Sequence, residues 1–236
     1  MAVNCRSIKD KKPEFETALH CLKPDIVCGT ESWLKGIKPG QNPKRDAIKS
    51  NEIFPRNYNV YRNDRGTLGR GVFVLVEKSL TSVEQTQFIT DVELEWVKIK
   101  LLKNKDLLVG SFYIPHREHQ HLDQLKLSLE RSEANKQNII LAGDFNCPNI
   151  NWEQQTATGP DREIQQELAD LMSFHNLTQV HNQPTREGNP LDLVFVSNPI
   201  LVKSSTNVPG ISDHDIIITE AIGKKRGHNL FPWGYR

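Results

Sequence analysis

Four short stretches of this chain hold residue types suited to proton and metal chemistry. Gly143-Asp144-Phe145-Asn146 follows the apolar run Ile139-Ile140-Leu141-Ala142. A carboxylate just past a strand end stands at a sheet rim, exposed to a cleft, and Gly143 allows the tight turn. Asn146 adds a neutral donor and acceptor two residues on. Ser212-Asp213-His214-Asp215 precedes the apolar run from Ile216, and it sets a carboxylate beside a ring that titrates near neutral pH. Glu31 follows Ile26-Val27-Cys28, and one or two carboxylates suffice for a hard cation that keeps most of its waters. Asp192 interrupts Leu191-Asp192-Leu193-Val194-Phe195-Val196. A carboxylate there is costly to bury unless it is paired, and His214 is the natural partner, since such a bond fixes the tautomer and raises the basicity of the ring. Each stretch has a plainer reading as well: an Asx-turn, a polar turn or a surface glutamate. Together they follow or interrupt strands, where one cleft could collect them.

The elements that must position these groups are legible in outline. Residues 13 to 22 predict a helix, with Phe15, Ala18, Leu19 and Leu22 on one face and Pro13 in the first turn. Helices are also expected over 120–135 and 161–175, and strands at 72–76, 94–101, 107–114, 139–142, 191–196 and 216–221. Met1 to Asn4 reads as the tail of a strand. Residues 36 to 57, rich in Pro, Gly and Lys, read as a long loop. Helices separate some strands while others follow as hairpins, so the pattern favours an α/β sandwich of packed sheets with helices outside. The domain is expected over 1–222, with 223–236 as a tail or linker.

The 236 residues fit one large domain. The net charge of +1 neither supports nor rejects a nucleic-acid partner. The four cysteines show no C-x-x-C pair and read as reduced core residues, which fits the nucleus or cytoplasm. No run approaches the ~20 apolar residues that span a bilayer, so no membrane partner is expected.

The ordered series Asn4, Glu31, Tyr113, Gly143-Asp144-Phe145-Asn146, Asp192 and Ser212-Asp213-His214 resembles the endonuclease/exonuclease/phosphatase superfamily. Within it, the resemblance is best to the apurinic-type endonuclease domains of LINE-type (non-LTR) retrotransposons. Supporting stretches are Asn4-Cys5-Arg6-Ser7-Ile8, Thr30-Glu31-Ser32-Trp33-Leu34, Arg62-Asn63-Asp64-Arg65 and Tyr113-Ile114-Pro115. The first strand is short for the family, and the turn Gly66-Thr67-Leu68-Gly69-Arg70-Gly71 lacks a run of three glycines. The resemblance implies a DNase I-like, four-layered α/β sandwich with two central, mainly antiparallel sheets flanked by helices. It implies a Mg²⁺-dependent DNA endonuclease (Mn²⁺ as substitute) that nicks double-stranded DNA and leaves a 3′-hydroxyl for a reverse transcriptase encoded downstream.

By the same resemblance, Glu31 is the main metal ligand, with Asp213 assisting the metal or the charge network. Asp144 and Asn146 position and activate water, and His214 meets the scissile phosphate with Asp192 orienting it. Asn4 and Tyr113 touch the phosphate or the metal shell, and Thr185 and Ser212 line the cleft. Which group is base and which is acid stays open. Arg62 and Arg65 stand out among the rim cations as DNA contacts, beside Lys35, Lys38, Lys44, Arg45, Lys49 and Arg70. His116, His119 and His121 are read as surface histidines rather than a zinc set. Trp96 is expected in the core, and Trp152 is a candidate for base stacking. An abasic-site repair enzyme, a phosphatase of the same fold and an inactive DNA-binding remnant are the alternatives.

Overall fold

The computed structural model describes residues 1–65, 70–101, 105–134 and 138–221, with the backbone of 224–225 and 228–229. In chain order the elements begin with β1 (Ala2–Asn4), α1 (Lys12–Leu22), β2 (Ile26–Thr30), α2 (Ser50–Ile53), β3 (Tyr58–Asn63), β4 (Val72–Glu77) and β5 (Ser82–Glu84). Then come β6 (Glu93–Lys100), β7 (Asp106–Tyr113), α3 (His119–Arg131), β8 (Asn138–Asp144), β9 (Ile150–Asn151), β10 (Thr156–Ala157) and α4 (Arg162–Phe174). The last are β11 (Thr178–Gln179), β12 (Asp192–Val196), β13 (Val202–Val208) and β14 (Ile216–Ala221).

Two six-stranded sheets carry the fold, in the orders β13-β14-β1-β2-β4-β3 and β11-β12-β8-β7-β6-β5. One pair in each is parallel, β1 with β2 and β7 with β8, and the other pairs are antiparallel. Three apolar zones hold four layers together. Phe15 and Leu19 of α1 pack on Phe73 and Leu75 of the first sheet. Val74, Val76, Val97, Val109, Ala142 and Val194 fill the space between the sheets. Leu122 and Leu125 of α3 and Leu168 of α4 cover Trp96, Leu193 and Phe195 on the outer face of the second. Each fully buried side chain of this size contributes about 1.5–3 kcal/mol.

The long helices form where apolar residues recur at helical spacing, and α1 carries Pro13 at its start and a left-handed Lys23 before Pro24 at its end. The expected 36–57 loop contains α2, and the Arg62 side chain ties it down through the Ile48 carbonyl (2.8 Å) and Ser50 hydroxyl (3.1 Å). The expected turn over 66–69, the end of the expected helix at residue 135 and most of the tail lie outside the described residues. Within the tail, Lys224–Lys225 and His228–Asn229 pair as a short antiparallel ribbon. Among the described residues no helix is long and apolar enough to cross a membrane. All four cysteines are free, with Cys5, Cys28 and Cys147 buried and Cys21 exposed.

Candidate active site

Side chains alternate between the faces of a strand, and this parity builds the site. Ala2, Ala142, Val109, Val194 and Val97 point into the space between the sheets. Asn4, Asp144, Tyr113, Asp192 and Glu93 share their parity at the ends of the same strands. Across the second sheet, Asp192 pairs with Asp144, Asp144 with Tyr113, and Tyr113 with Glu93. One transverse row at the sandwich rim therefore carries four polar side chains.

The opposing sheet closes on this row. The Asn4 amide nitrogen donates to Glu31 Oε1 and to Asp144 Oδ2, at 2.9 Å each. One nitrogen thus joins carboxylates from both sheets. Glu31 sits just past β2 in a left-handed conformation (φ 48°) and also accepts from Trp33 Nε1 at 3.3 Å. The Asn146 backbone N–H donates to Asp144 Oδ1 at 3.1 Å, and its side-chain amide donates to the Ile114 carbonyl at 2.9 Å. On the other side of Asp144, His214 Nδ1 lies 2.7 Å from Asp192 Oδ2, and both side chains are buried. Thr185 Oγ1 accepts from the Asp192 N–H at 3.1 Å, and Ser212 donates to the Asn4 carbonyl at 2.7 Å.

The electrostatics follow from burial of like charges. Burial, then the neighbouring Asp192 and Glu31 carboxylates, raise Asp144 well above the ordinary carboxylate range. Burial alone would lower His214, but the bond to Asp192 and the nearby acids outweigh it, so the imidazole is raised. Burial and then the charges of Glu31 and Asp144 push the Tyr113 phenol up, with a hydrogen bond to Glu31 adding to the effect.

The donors fit a hard divalent cation. The carboxylates of Glu31 and Asp144 share the Asn4 amide, and carboxylate oxygens suit a hard cation. Donor atoms of Asp144, Asp192 and His214 lie within 4.8 Å of one another.

Several expectations change. Arg62 does not face DNA: it is 2% exposed, and its guanidinium pairs with Asp64 at 2.8 Å. A buried arginine needs such partners to offset its lost hydration. Asp213, expected to assist the metal or the charge network, sits in a cluster of charges. Its Oδ2 is held between Arg6 and Arg186, at 2.9 Å from each, and despite partial burial its backbone bond and these cations lower its proton affinity. Trp152 is half-buried and meets Phe195 in an edge-to-face contact, ring centroids 5.1 Å apart. Trp96 is buried as expected, with its indole nitrogen 2.8 Å from Ser128 Oγ. The His119 side chain pairs with Glu167 on the surface. Residue-type reasoning gave no role to Arg6, Glu93 or Arg186, and Trp33, a candidate for base stacking in the sequence, instead reaches Glu31.

This fold is the DNase I-like α/β sandwich, shared with solved structures that include an endonuclease/exonuclease/phosphatase family protein of Leptotrichia buccalis. Residues 107–218 match the family described as Endonuclease-reverse transcriptase. That segment includes Tyr113, Asp144, Asn146, Asp192 and His214, whereas Asn4 and Glu31 join the site by geometry alone. The chain is similar to the endonuclease domain of TRAS1, a telomere-specific non-LTR retrotransposon (16% identity, 93% of this chain and 95% of that one, TM-score 0.68). It is similar to the APE2 catalytic domain of Xenopus laevis (15% identity, 94% and 92% covered, TM-score 0.61). It also resembles the 3′-5′ exonuclease NExo of Neisseria meningitidis (15% identity, 93% and 98% covered, TM-score 0.60). Identities this low establish the fold alone. No curated protein matches the chain by sequence.

Proposed function

We propose that the chain is a Mg²⁺-dependent endonuclease that nicks duplex DNA and leaves a 3′-hydroxyl, from which the reverse transcriptase of a non-LTR retrotransposon begins synthesis. The observation that carries this reading is the Asn4 amide bonded to both Glu31 and Asp144, with the Asp192–His214 pair on the far side of Asp144. The match to the endonuclease-reverse transcriptase family and the likeness to the TRAS1 endonuclease support the retrotransposon setting.

Glu31 and Asp144 would hold the cation, which when bound offsets phosphate charge and stabilises the leaving oxygen. Asp144 takes the proton of the attacking water, since its two nitrogen donors fix its oxygens. His214, kept protonated by Asp192, donates to a phosphate oxygen. A preorganised donor of this kind contributes about 3–4 kcal/mol. Thr185 holds the backbone of Asp192 and thereby the orientation of the pair.

Incubation with intact supercoiled plasmid and with a duplex containing one abasic site tests the reading. The expected result is Mg²⁺-dependent nicking of intact plasmid. Cleavage confined to the abasic duplex would replace the retrotransposon role with repair.

A further inference from the structure

We propose that Glu93 is a positioning residue for the cation-holding Glu31, acting through the backbone of Arg70 and Gly71 rather than through its own charge. The inference rests on the nuclease reading above for the cation at Glu31, and adds what fixes that carboxylate. Glu93 is buried at the start of β6, cross-strand from Tyr113 at the end of the polar row. Its Oε2 accepts the Gly71 N–H at 2.5 Å. Its Oε1 makes no hydrogen bond among the described residues, with Arg70 Nε 3.7 Å away. The bond through Oε2 is therefore what ties this side chain of the second sheet to the backbone just before β4 of the first.

Residues 31–33 lean on that backbone. The Ser32 N–H donates to the Gly71 carbonyl at 3.0 Å, and the Trp33 N–H to the Arg70 carbonyl at 2.8 Å. On the other side the Ser7 N–H donates to the Glu31 carbonyl at 3.1 Å, and the Ile8 N–H to the Ser32 carbonyl at 3.2 Å. The segment needs both supports, because Glu31 and Trp33 are left-handed (φ 48° and 55°). Residues other than glycine keep that conformation only where their surroundings impose it. The Trp33 indole N–H then reaches Glu31 Oε2 at 3.3 Å. The fit at the turn is close: Gly71 has φ +96°, and a Cβ there would lie 2.6 Å from Ser32 Oγ. Glu93 thus sets, through the 70–71 backbone and residues 32 and 33, the angle at which Glu31 meets the Asn4 amide.

Two conservative variants separate reach from charge. Glu93→Asp keeps the carboxylate but draws it back by one methylene, out of reach of Gly71. Glu93→Gln keeps the reach and an accepting oxygen but removes the charge. Binding of Mn²⁺ to the whole chain is followed by electron paramagnetic resonance of the free ion, at a temperature where every variant is folded. The pH is set at about 8, above the value of about 7 to which burial raises Glu93. Sites that survive in Glu31→Gln are subtracted. Glu93→Asp should bind Mn²⁺ about 10-fold more weakly, as expected when a partner behind a metal ligand is lost, and Glu93→Gln should recover most of that loss. A merely structural role would lower the Tm of a variant and leave the Mn²⁺ Kd of its folded chain unchanged. Wild-type affinity in Glu93→Asp, a Glu93→Gln as weak as Glu93→Asp, or a wild type without a Mn²⁺ site that Glu31→Gln removes overturns the proposal. Plasmid nicking by wild type, with Mn²⁺ affinity unchanged in Glu93→Asp, would remove the positioning role alone. Affinity lost in Glu93→Asp and regained in Glu93→Gln, without nicking by wild type, would keep the positioning role and remove the nuclease reading.

Discussion

Asp144 is gripped by two donors of different origin, the Asn4 side chain and the Asn146 backbone, while Asp192 and Glu31 press on it from either side. That arrangement makes the proton, not the packing, the sensitive quantity. Asp144→Asn keeps the shape but removes the base and one of the two accepted hydrogen bonds, since an amide nitrogen cannot accept, and should lower the nicking rate by roughly 10²–10⁴ with unchanged circular dichroism. Asp192→Asn should also lower turnover with little effect on DNA affinity, because the imidazole loses the charge that keeps it protonated. A variant in which affinity falls and turnover holds would contradict that role. Glu93 offers a test by stability. Burial raises its carboxyl from 4.5 to about 7, so the folded chain binds a proton more tightly than the unfolded one. Stability from this group is full below about 4.5 and is lost as pH rises to about 7, by up to about 3 kcal/mol. Glu93→Gln should therefore gain on wild type as pH rises from 4.5 to 7 in urea denaturation, and parallel curves would refute the assignment.

The strand ends do the positioning, and β8 shows how little freedom they have. Gly143 has φ +148°, and a Cβ there would lie 1.9 Å from the Phe112 carbonyl oxygen. Gly143→Ala should cost at least about 3 kcal/mol, read by thermal unfolding, since both the backbone angle and the contact forbid it. Elements of this kind were legible in the sequence: apolar runs ending in Gly143-Asp144 and Leu191-Asp192 declare inner strands with polar tips. The short or edge strands were not. β13 reads Val-Lys-Ser-Ser-Thr-Asn-Val and is mostly exposed or half-buried, so it lacks the apolar pattern that marks a core strand. The burial of Arg62 was equally hidden, because its pairing with Asp64 two residues on looks, in letters, like a charged rim turn. The convergence of Arg6 and Arg186 on Asp213 depends on segments far apart in the chain, and no local spacing announces it.

At the scale of the molecule, two sheets face each other across an apolar interior, and their polar row opens at one rim. The first sheet brings Asn4 and Glu31, the second brings Tyr113, Asp144 and Asp192, and the turn before β14 brings His214. The sandwich itself therefore assembles the site, and loss of sheet-to-sheet packing should abolish activity before secondary structure is lost. In moderate urea, nicking should disappear while far-ultraviolet circular dichroism still shows native strands, if the rim opens first. The central claim is tested most directly by relaxation of supercoiled plasmid in Mg²⁺, followed by extension of the nick with a DNA polymerase. Wild type should yield open circles whose ends are extended without prior repair, and EDTA or Asp144→Asn should prevent the nick. Wild type that makes no nick in Mg²⁺, or Asp144→Asn that nicks as fast as wild type, would contradict the account.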